Sequence, residues 1–552
     1  MTNQQRIKQP MTSLKKVLFL WICGSLISCT QNEQLTSHAS EIKRTEKTFI
    51  YCSEASPSGF NPQITEDGTS INAQNPIFNR LVMIERGGNR IVGDLAQSWT
   101  ISKDQKQYTF KLRKDVKFHK NSLFTPTRNL NADDVLFSFN RQRLKNHPYH
   151  QVGGGQYLYF ESMNMGVIQE IQKIDDQTVR FILSKPDAVF LANLTMEFAS
   201  ILSAEYADQM MKKKTPNNFD LQPIGTGPFV FKNYEKDSVI RYEANPVYYG
   251  QFKPLVDKLI FLITPDATVR AQKIKAGECH LIAEPALVDY KMFTTNPKLK
   301  VETMVGLNIG YIAFNTKKKP YDHLMVRQAV YHALNRNAYI EAIYHGMAEI
   351  AESALPSTSW GYSNTLPTYE YSVEKAKELL TKAGYPHGFE TELWALPVTR
   401  PYNPDGKKMA EMIQSDLAKV GIKAKIVTLD WPTYLAKTKN GEHAMAMFGW
   451  VSDNGDPDNF LYTQLSCSAS IAGTNRAMWC YKPYNELVEK AKRVSDVRQR
   501  TELYMDAQKI FKEQIPWIPV ASAKTYRVLR KEVTGYIMDT LGHDYLDGVT
   551  YP

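Results

Sequence analysis

Two segments of this chain hold side chains whose types suit the capture of charge. Asp453-Asn454-Gly455-Asp456-Pro457-Asp458-Asn459 concentrates carboxylates and amides in seven residues. Arg400 sits among prolines in Pro397-Val398-Thr399-Arg400-Pro401-Tyr402-Asn403-Pro404. A guanidinium can hold a carboxylate through two parallel N–H bonds, and a lone carboxylate can hold an ammonium. The acidic run misses the spacing of an EF-hand calcium loop. It therefore reads either as a solvated turn or as a place where Asp453 captures a ligand. Catalytic groupings are absent: the chain has no P-loop, no H-E-x-x-H and no G-x-S-x-G. Gly225-Thr226-Gly227-Pro228-Phe229 could pass for a phosphate loop, but Pro228 removes a backbone donor. It reads as a turn into a strand, and Gly153-Gly154-Gly155 reads as a loop. No enzyme activity, metal or cofactor is expected.

Six cysteines add a second kind of chemistry: Cys23, Cys29, Cys52, Cys279, Cys467 and Cys480. Cys29 closes Leu26-Ile27-Ser28-Cys29, at the end of an apolar run that begins at Val17, after Lys15 and Lys16. The run is about a dozen residues, too short for a span that needs ~20. This is the layout of a secretory signal over residues 1–28, with Met1 or Met11 as its start. The cysteine at its end resembles a bacterial lipobox, so Cys29 is expected to carry lipid. Residues 29–46 are polar and read as a tether. The body would then be held at a membrane surface in the periplasm or cell envelope, an oxidising place. Four cysteines remain, which allows three pairings. Cys52–Cys279 with Cys467–Cys480 is favoured; free thiols are the alternative, and zinc is disfavoured because no C-x-x-C pair exists.

The 552 residues exceed one ordinary core, so at least two lobes are expected. Of the net charge of +10, four units come from Arg6, Lys8, Lys15 and Lys16 in the leader. What is left is too mild and too dispersed for a nucleic-acid binder.

The elements that must position these groups are mixed. Phe49–Cys52, Tyr108–Leu112, Thr178–Leu183 and Ala424–Thr428 read as strands. Ala132–Phe139, Met325–Leu334, Val373–Leu380 and Lys408–Val420 read as helices. Asn131 suits the N-cap of the first, and Gly384 with Pro386, and Gly421, stop the last two. The alternation predicts an α/β fold.

Several ordered motifs resemble the solute-binding proteins of peptide ABC transporters (family 5). They are Leu95-Ala96-Gln97-Ser98-Trp99, Tyr108–Arg113, Val116–His119, Leu130–Val135, Gly225–Phe229, Asp266-Ala267-Thr268 and Val326–Ala329. The segments around Arg400 and Gly449–Phe460 look closest to the dipeptide-binding branch and its haem- or glutathione-binding lipoprotein relatives. The resemblance implies a two-lobed periplasmic-binding-protein fold with two crossing hinge strands, near Gly306–Asn315 and Trp517–Ala523. Lobe I would hold residues 47–305 and 522–552, with an inserted subdomain at 80–225, and lobe II residues 306–521. The four cysteines fall where that branch places two disulfides, in the favoured pairing.

The same resemblance gives Arg400 to a dipeptide carboxylate and Asp453 to its ammonium. Pro401, Tyr402, Trp450, Val451 and Ser452 would line or pair with the ligand. Where the branch carries a small hydroxyl residue, this chain has Glu66, which puts a simple dipeptide in doubt. The expected function is a monomeric lipoprotein that captures dipeptides and delivers them to inner-membrane ABC permease subunits. Glutathione or haem as ligand is the first alternative, and an adhesin or chaperone-like surface protein the second.

Overall fold

A computed structural model describes residues 46–65, 67–397, 400–429 and 431–552. The expected leader, Cys29, the tether through residue 45 and Glu66 lie outside the described residues. No described helix is long and apolar enough to cross a membrane.

The strands read from alternation form where β-branched and aromatic residues cluster: Thr48–Ser53, Gln107–Leu112, Thr178–Leu183 and Lys423–Val427. The helix Ala132–Arg143 starts on a capping box. Asn131 accepts from the Asp133 backbone N–H, and Asp134 reaches back to the Asn131 N–H. The helix expected at Lys408–Val420 runs instead over Gly406–Ala418. Its start moves because the Asp405 carboxylate caps the Lys408 N–H at 2.9 Å.

These elements assemble into a mixed sheet of twelve strands among the described residues. Its order from one edge is Lys423–Val427, Glu390–Trp394, Met445–Val451, Asn308–Phe314, Trp517–Arg530, Leu281–Ile282, Thr48–Ser53, Lys258–Ile263, Val239–Ala244 and Phe229–Glu235. Leu299–Val305 and Ala348–Ile350 also pair with the long strand Trp517–Arg530. A separate antiparallel sheet, Ala96–Ile101, Gln107–Leu112, Thr178–Leu183 and Ile168–Asp175, packs into the same core as Thr48–Ser53 and Lys258–Ile263.

The architecture is a two-lobed α/β fold with one large core in each lobe. One core gathers residues from Ile309 to Ala523. The other gathers Phe49 to Ala283 and the return Leu529 to Val549. The 14-residue strand Trp517–Arg530 belongs to both. Its first part pairs with Asn308–Phe314 and its second with Leu299–Val305. Where the pairing switches, the Asn308 side chain donates to Ala523 O (3.0 Å) and accepts from Ala523 N (2.9 Å). The amide thus gives the Ala523 N–H a partner at the crossing and adds a second donor to Ala523 O, which also accepts from the Gly306 N–H at 3.1 Å.

The favoured disulfides are both present. Cys52–Cys279 joins positions 227 residues apart, and Cys467–Cys480 positions 13 apart. On the chain-entropy model they are worth roughly 5 and roughly 3 kcal/mol.

Candidate functional site

The strand crossing floors a cleft of about 680 Å³. Lobe II contributes Arg400, Pro401, Pro404 and Val451-Ser452-Asp453. Lobe I contributes Thr69, Asn72, Glu197, Glu284 and the return loop Thr540–His543.

Asp453 is set by the acidic run, whose members divide into separate tasks. Arg500 grips Asp456 with two bonds (2.7 and 2.8 Å), and both side chains are buried. Burial opposes the Arg500 charge, but Asp456 outweighs it and raises its pKa. Lys492 stands 3.5 Å from Asp458. Asn459 organises the loop: its carbonyl accepts from Trp450 Nε1 (2.7 Å) and from the Asp453 N–H (3.2 Å). Its amide donates to Asp453 Oδ2 at 3.0 Å. Asn454 leaves the loop to donate to Asn193 Oδ1 of the other lobe at 2.7 Å. No cluster suited to a metal exists among the described residues. The run is a framework, and Asp453 is the member that faces the cleft.

No ion pair to Asp453 forms among the described residues. Burial pushes its carboxyl up to about 6, against which the Asn459 bond acts weakly. A partly buried carboxylate with amide support and no counter-ion is poised to accept a cation.

Arg400 sits in a closed turn: its N–H donates to Asn403 O (3.1 Å) and its carbonyl accepts from Asn403 N–H (2.9 Å). Tyr402 anchors that turn to the sheet. Gly310 and Gly449 face each other across paired strands. A Cβ on Gly449 would lie 2.1 Å from the Tyr402 ring, and one on Gly310 2.3 Å from Tyr402 O. The two glycines make the slot in which Tyr402 rests. Tyr344 locks it by donating to Tyr402 O at 2.7 Å. Burial raises the Tyr402 phenol, and the Arg400 guanidinium, hydrogen-bonded to it, pulls the other way.

Of the residues singled out in the sequence, Arg400, Pro401, Val451, Ser452 and Asp453 come together on the cleft. Tyr402 and Trp450 stand behind it and hold the residues that line it. Val451 shares a strand face with Gly449, toward the cleft, and Trp450 takes the opposite face, toward Asn459.

Sequence reasoning missed the lobe I wall. The cleft receives Lys524 and Arg527 from the long strand and His543 from the return loop. Arg527 pairs with Asp544 (3.0 Å) and Glu284 (3.3 Å). His543 contacts Asp539 (3.0 Å) and Glu197 (3.7 Å). Burial opposes the imidazolium, but these two carboxylates outweigh it and bring its pKa to about 9. No local sequence signal marked them, since the stretch after Trp517 is ordinary in charged and aromatic content.

Comparison with known proteins adds four likenesses. The family model "Bacterial extracellular solute-binding proteins, family 5 Middle" matches residues 90–471. The dipeptide-binding protein of Escherichia coli (strain K12) is 49% identical over 98% of this chain and 99% of its own length. Heme-binding protein A of Haemophilus influenzae is 44% identical over 99% of each. The structure of HbpA2 from Haemophilus parasuis superposes with a TM-score of 0.89 at 43% identity, covering 92% of this chain and all of that one.

Proposed function

This chain belongs to the family 5 bacterial extracellular solute-binding proteins, and from that membership we propose that it captures dipeptides in its cleft and hands them to an ABC importer. The observation that carries the reading is Asp453, a carboxylate on the cleft with no counter-ion among the described residues and a pKa raised to about 6. It meets the ligand ammonium. Arg400, on the same cleft, meets the ligand carboxylate. Two extended residues span only ~7 Å, so the separation of the two charges measures ligand length. The backbone beside Arg400-Pro401 and Val451-Ser452 pairs with the ligand main chain, which leaves side chains free to vary. Closure of the lobes, taken as residues 47–305 with 522–552 and 306–521, removes water and strengthens both charge pairs. Neither pairing needs a bond to be made or broken, so no catalytic role is assigned.

The haem alternative draws on the likeness to heme-binding protein A. His543, the histidine that lines the cleft, has both ring nitrogens facing carboxylates, Nδ1 with Asp539 (3.0 Å) and Nε2 with Glu197 (3.7 Å), so a haem iron would have to displace one of them. Glutathione, a γ-linked tripeptide, exceeds the span set for a dipeptide.

Calorimetric titration of ligand-stripped protein with dialanine, glutathione and haemin tests the reading. It predicts binding of dialanine that Asp453→Ala and Arg400→Ala abolish. Silence toward dialanine with heat from either other ligand would refute it. We place the protein in the periplasm as a monomer tethered through lipid on Cys29; mass spectrometry of the native N-terminus, with and without Cys29→Ser, tests the tether.

A further inference from the structure

Not every charge on the cleft wall has an ion-pair partner among the described residues. Glu197 meets Arg80 (3.1 Å) and His543 (3.7 Å), and Glu284 meets Arg527 (3.3 Å). Asp453 and Arg400 are assigned to the two ends of the ligand. Two charges are left over: Glu54, which accepts from the Thr69 and Ser53 hydroxyls (2.5 and 3.4 Å), and Lys524. Lys524 lines the cleft, is partly buried, and its ammonium makes no ion pair or hydrogen bond among the described residues.

Its position along the wall follows from the backbone. Lys524 pairs in register with Val305, and its N–H donates to Met347 O at 2.9 Å. Met347 lies three residues after Tyr344, whose hydroxyl donates to the carbonyl of Tyr402 in the Arg400 turn. Tyr344, Met347, Lys524 and Arg400 all line the same cavity. The segment from Tyr344 to Met347 therefore bridges the Lys524 strand to the Arg400 turn. Lys524 is thus a second cation on the cleft, on the strand that this segment links to the Arg400 turn.

Resting on the dipeptide reading above, we infer that Lys524 determines specificity, favouring dipeptides whose C-terminal residue carries a side-chain carboxylate. An ammonium in a closing cleft loses water, which is costly without an anionic partner. A ligand with glutamate or aspartate at its second residue supplies that anion. A neutral residue leaves the ammonium to trapped water. A basic residue adds like-charge repulsion.

The test compares Ala-Glu, its neutral near-isostere Ala-Gln, Ala-Lys and Glu-Ala by calorimetry at pH 7, on wild type, Lys524→Gln and Lys524→Glu. Wild type should bind Ala-Glu about tenfold more tightly than Ala-Gln or Glu-Ala, with Ala-Lys weakest. The gap should vanish in Lys524→Gln, whose thermal melt should match wild type and so show it to be folded. It should reverse in Lys524→Glu, with Ala-Lys now ahead of Ala-Glu. Equal affinity of wild type for Ala-Glu and Ala-Gln, a gap that survives Lys524→Gln, or a preference for Glu-Ala would overturn the inference while leaving dipeptide capture standing. Failure of all four peptides to bind wild type would overturn dipeptide capture and this inference with it.

Discussion

Lowering the pH from 7 to 5 should weaken dipeptide binding through one group. In the unliganded protein the Asp453 carboxyl titrates at about 6, because burial disfavours its charge and no cation offsets it. Docking of an ammonium supplies that cation and draws the pKa back down. Protonation therefore competes with ligand. With the bound-state pKa well below 5, the dissociation constant should rise about twofold by pH 6 and about tenfold by pH 5, which is about 1.4 kcal/mol. The ligand's own groups change little in this window, since a terminal carboxyl titrates near ~3.5 and an α-amino group near ~8. His543, at about 9, stays charged throughout. Asp458 also titrates at about 6 but lies beside Lys492, so Asp453→Asn is the control that separates the two. Calorimetry in buffers of different ionisation enthalpy should show about half a proton released per ligand at pH 6, and a small net uptake at pH 7.5 as the ligand amine, near ~8, docks protonated. Asp453→Asn should bind roughly a hundredfold more weakly at pH 7, as loss of one partner from a desolvated charge pair does, with a flat pH profile. Its unliganded form should melt higher than wild type at pH 7. The sign follows because a carboxyl with a raised folded pKa destabilises the fold when ionised, a penalty present above pH 6 and lost as pH falls toward 4. A flat wild-type profile between pH 7 and 5, or an equal slope in Asp453→Asn, would refute this account.

Other consequences can be measured separately. Gly449→Ala places a methyl 2.1 Å from the Tyr402 ring; it should cost about 1–3 kcal/mol by overpacking and weaken dipeptide binding further by tilting the Arg400 turn, read by denaturant melts beside calorimetry. Arg500→Met leaves Asp456 buried without its partner and should lower stability by about 3–5 kcal/mol; a loss under 1 kcal/mol in urea unfolding would contradict the framework role of that pair. Cys467→Ser with Cys480→Ser should lower stability by about 3 kcal/mol while dipeptide affinity changes little, since neither residue lines the cleft.

The sequence by itself determined what depends on neighbours along the chain. Asn131 ahead of the acidic pair Asp133 and Asp134 marks a helix start from neighbouring residues, and the helix it starts is present. Alternating β-branched and aromatic residues set Thr178–Leu183 as a strand. Gly421, at φ 83°, stands just past a helix end in a conformation that suits glycine. The disulfide pairing was favoured among three that the cysteine count allowed and was supported by ordered motifs resembling a known family, and the choice of Arg400 and Asp453 came through those motifs, because spacing alone left a plain surface arginine open.

Tertiary structure decided which residues share one cavity and which face each residue takes. Tyr402 and Trp450 flank the cleft residues in sequence, yet they support the cleft from behind. Tyr402 is turned into the sheet by a slot that exists only because Gly310 and Gly449 meet across two strands 139 residues apart. In the acidic run, Asp456 and Asp458 match Asp453 in chemistry. Only the arrival of Arg500 and Lys492 from later helices gives those two partners and leaves Asp453 to face the cleft. Lys524 and His543 reach the cleft because the chain returns to lobe I after completing lobe II. Local patterning records which residues prefer burial or a turn. It cannot record a counter-charge supplied from hundreds of residues away, and that counter-charge decides which carboxylates are structural and which stay open for a ligand.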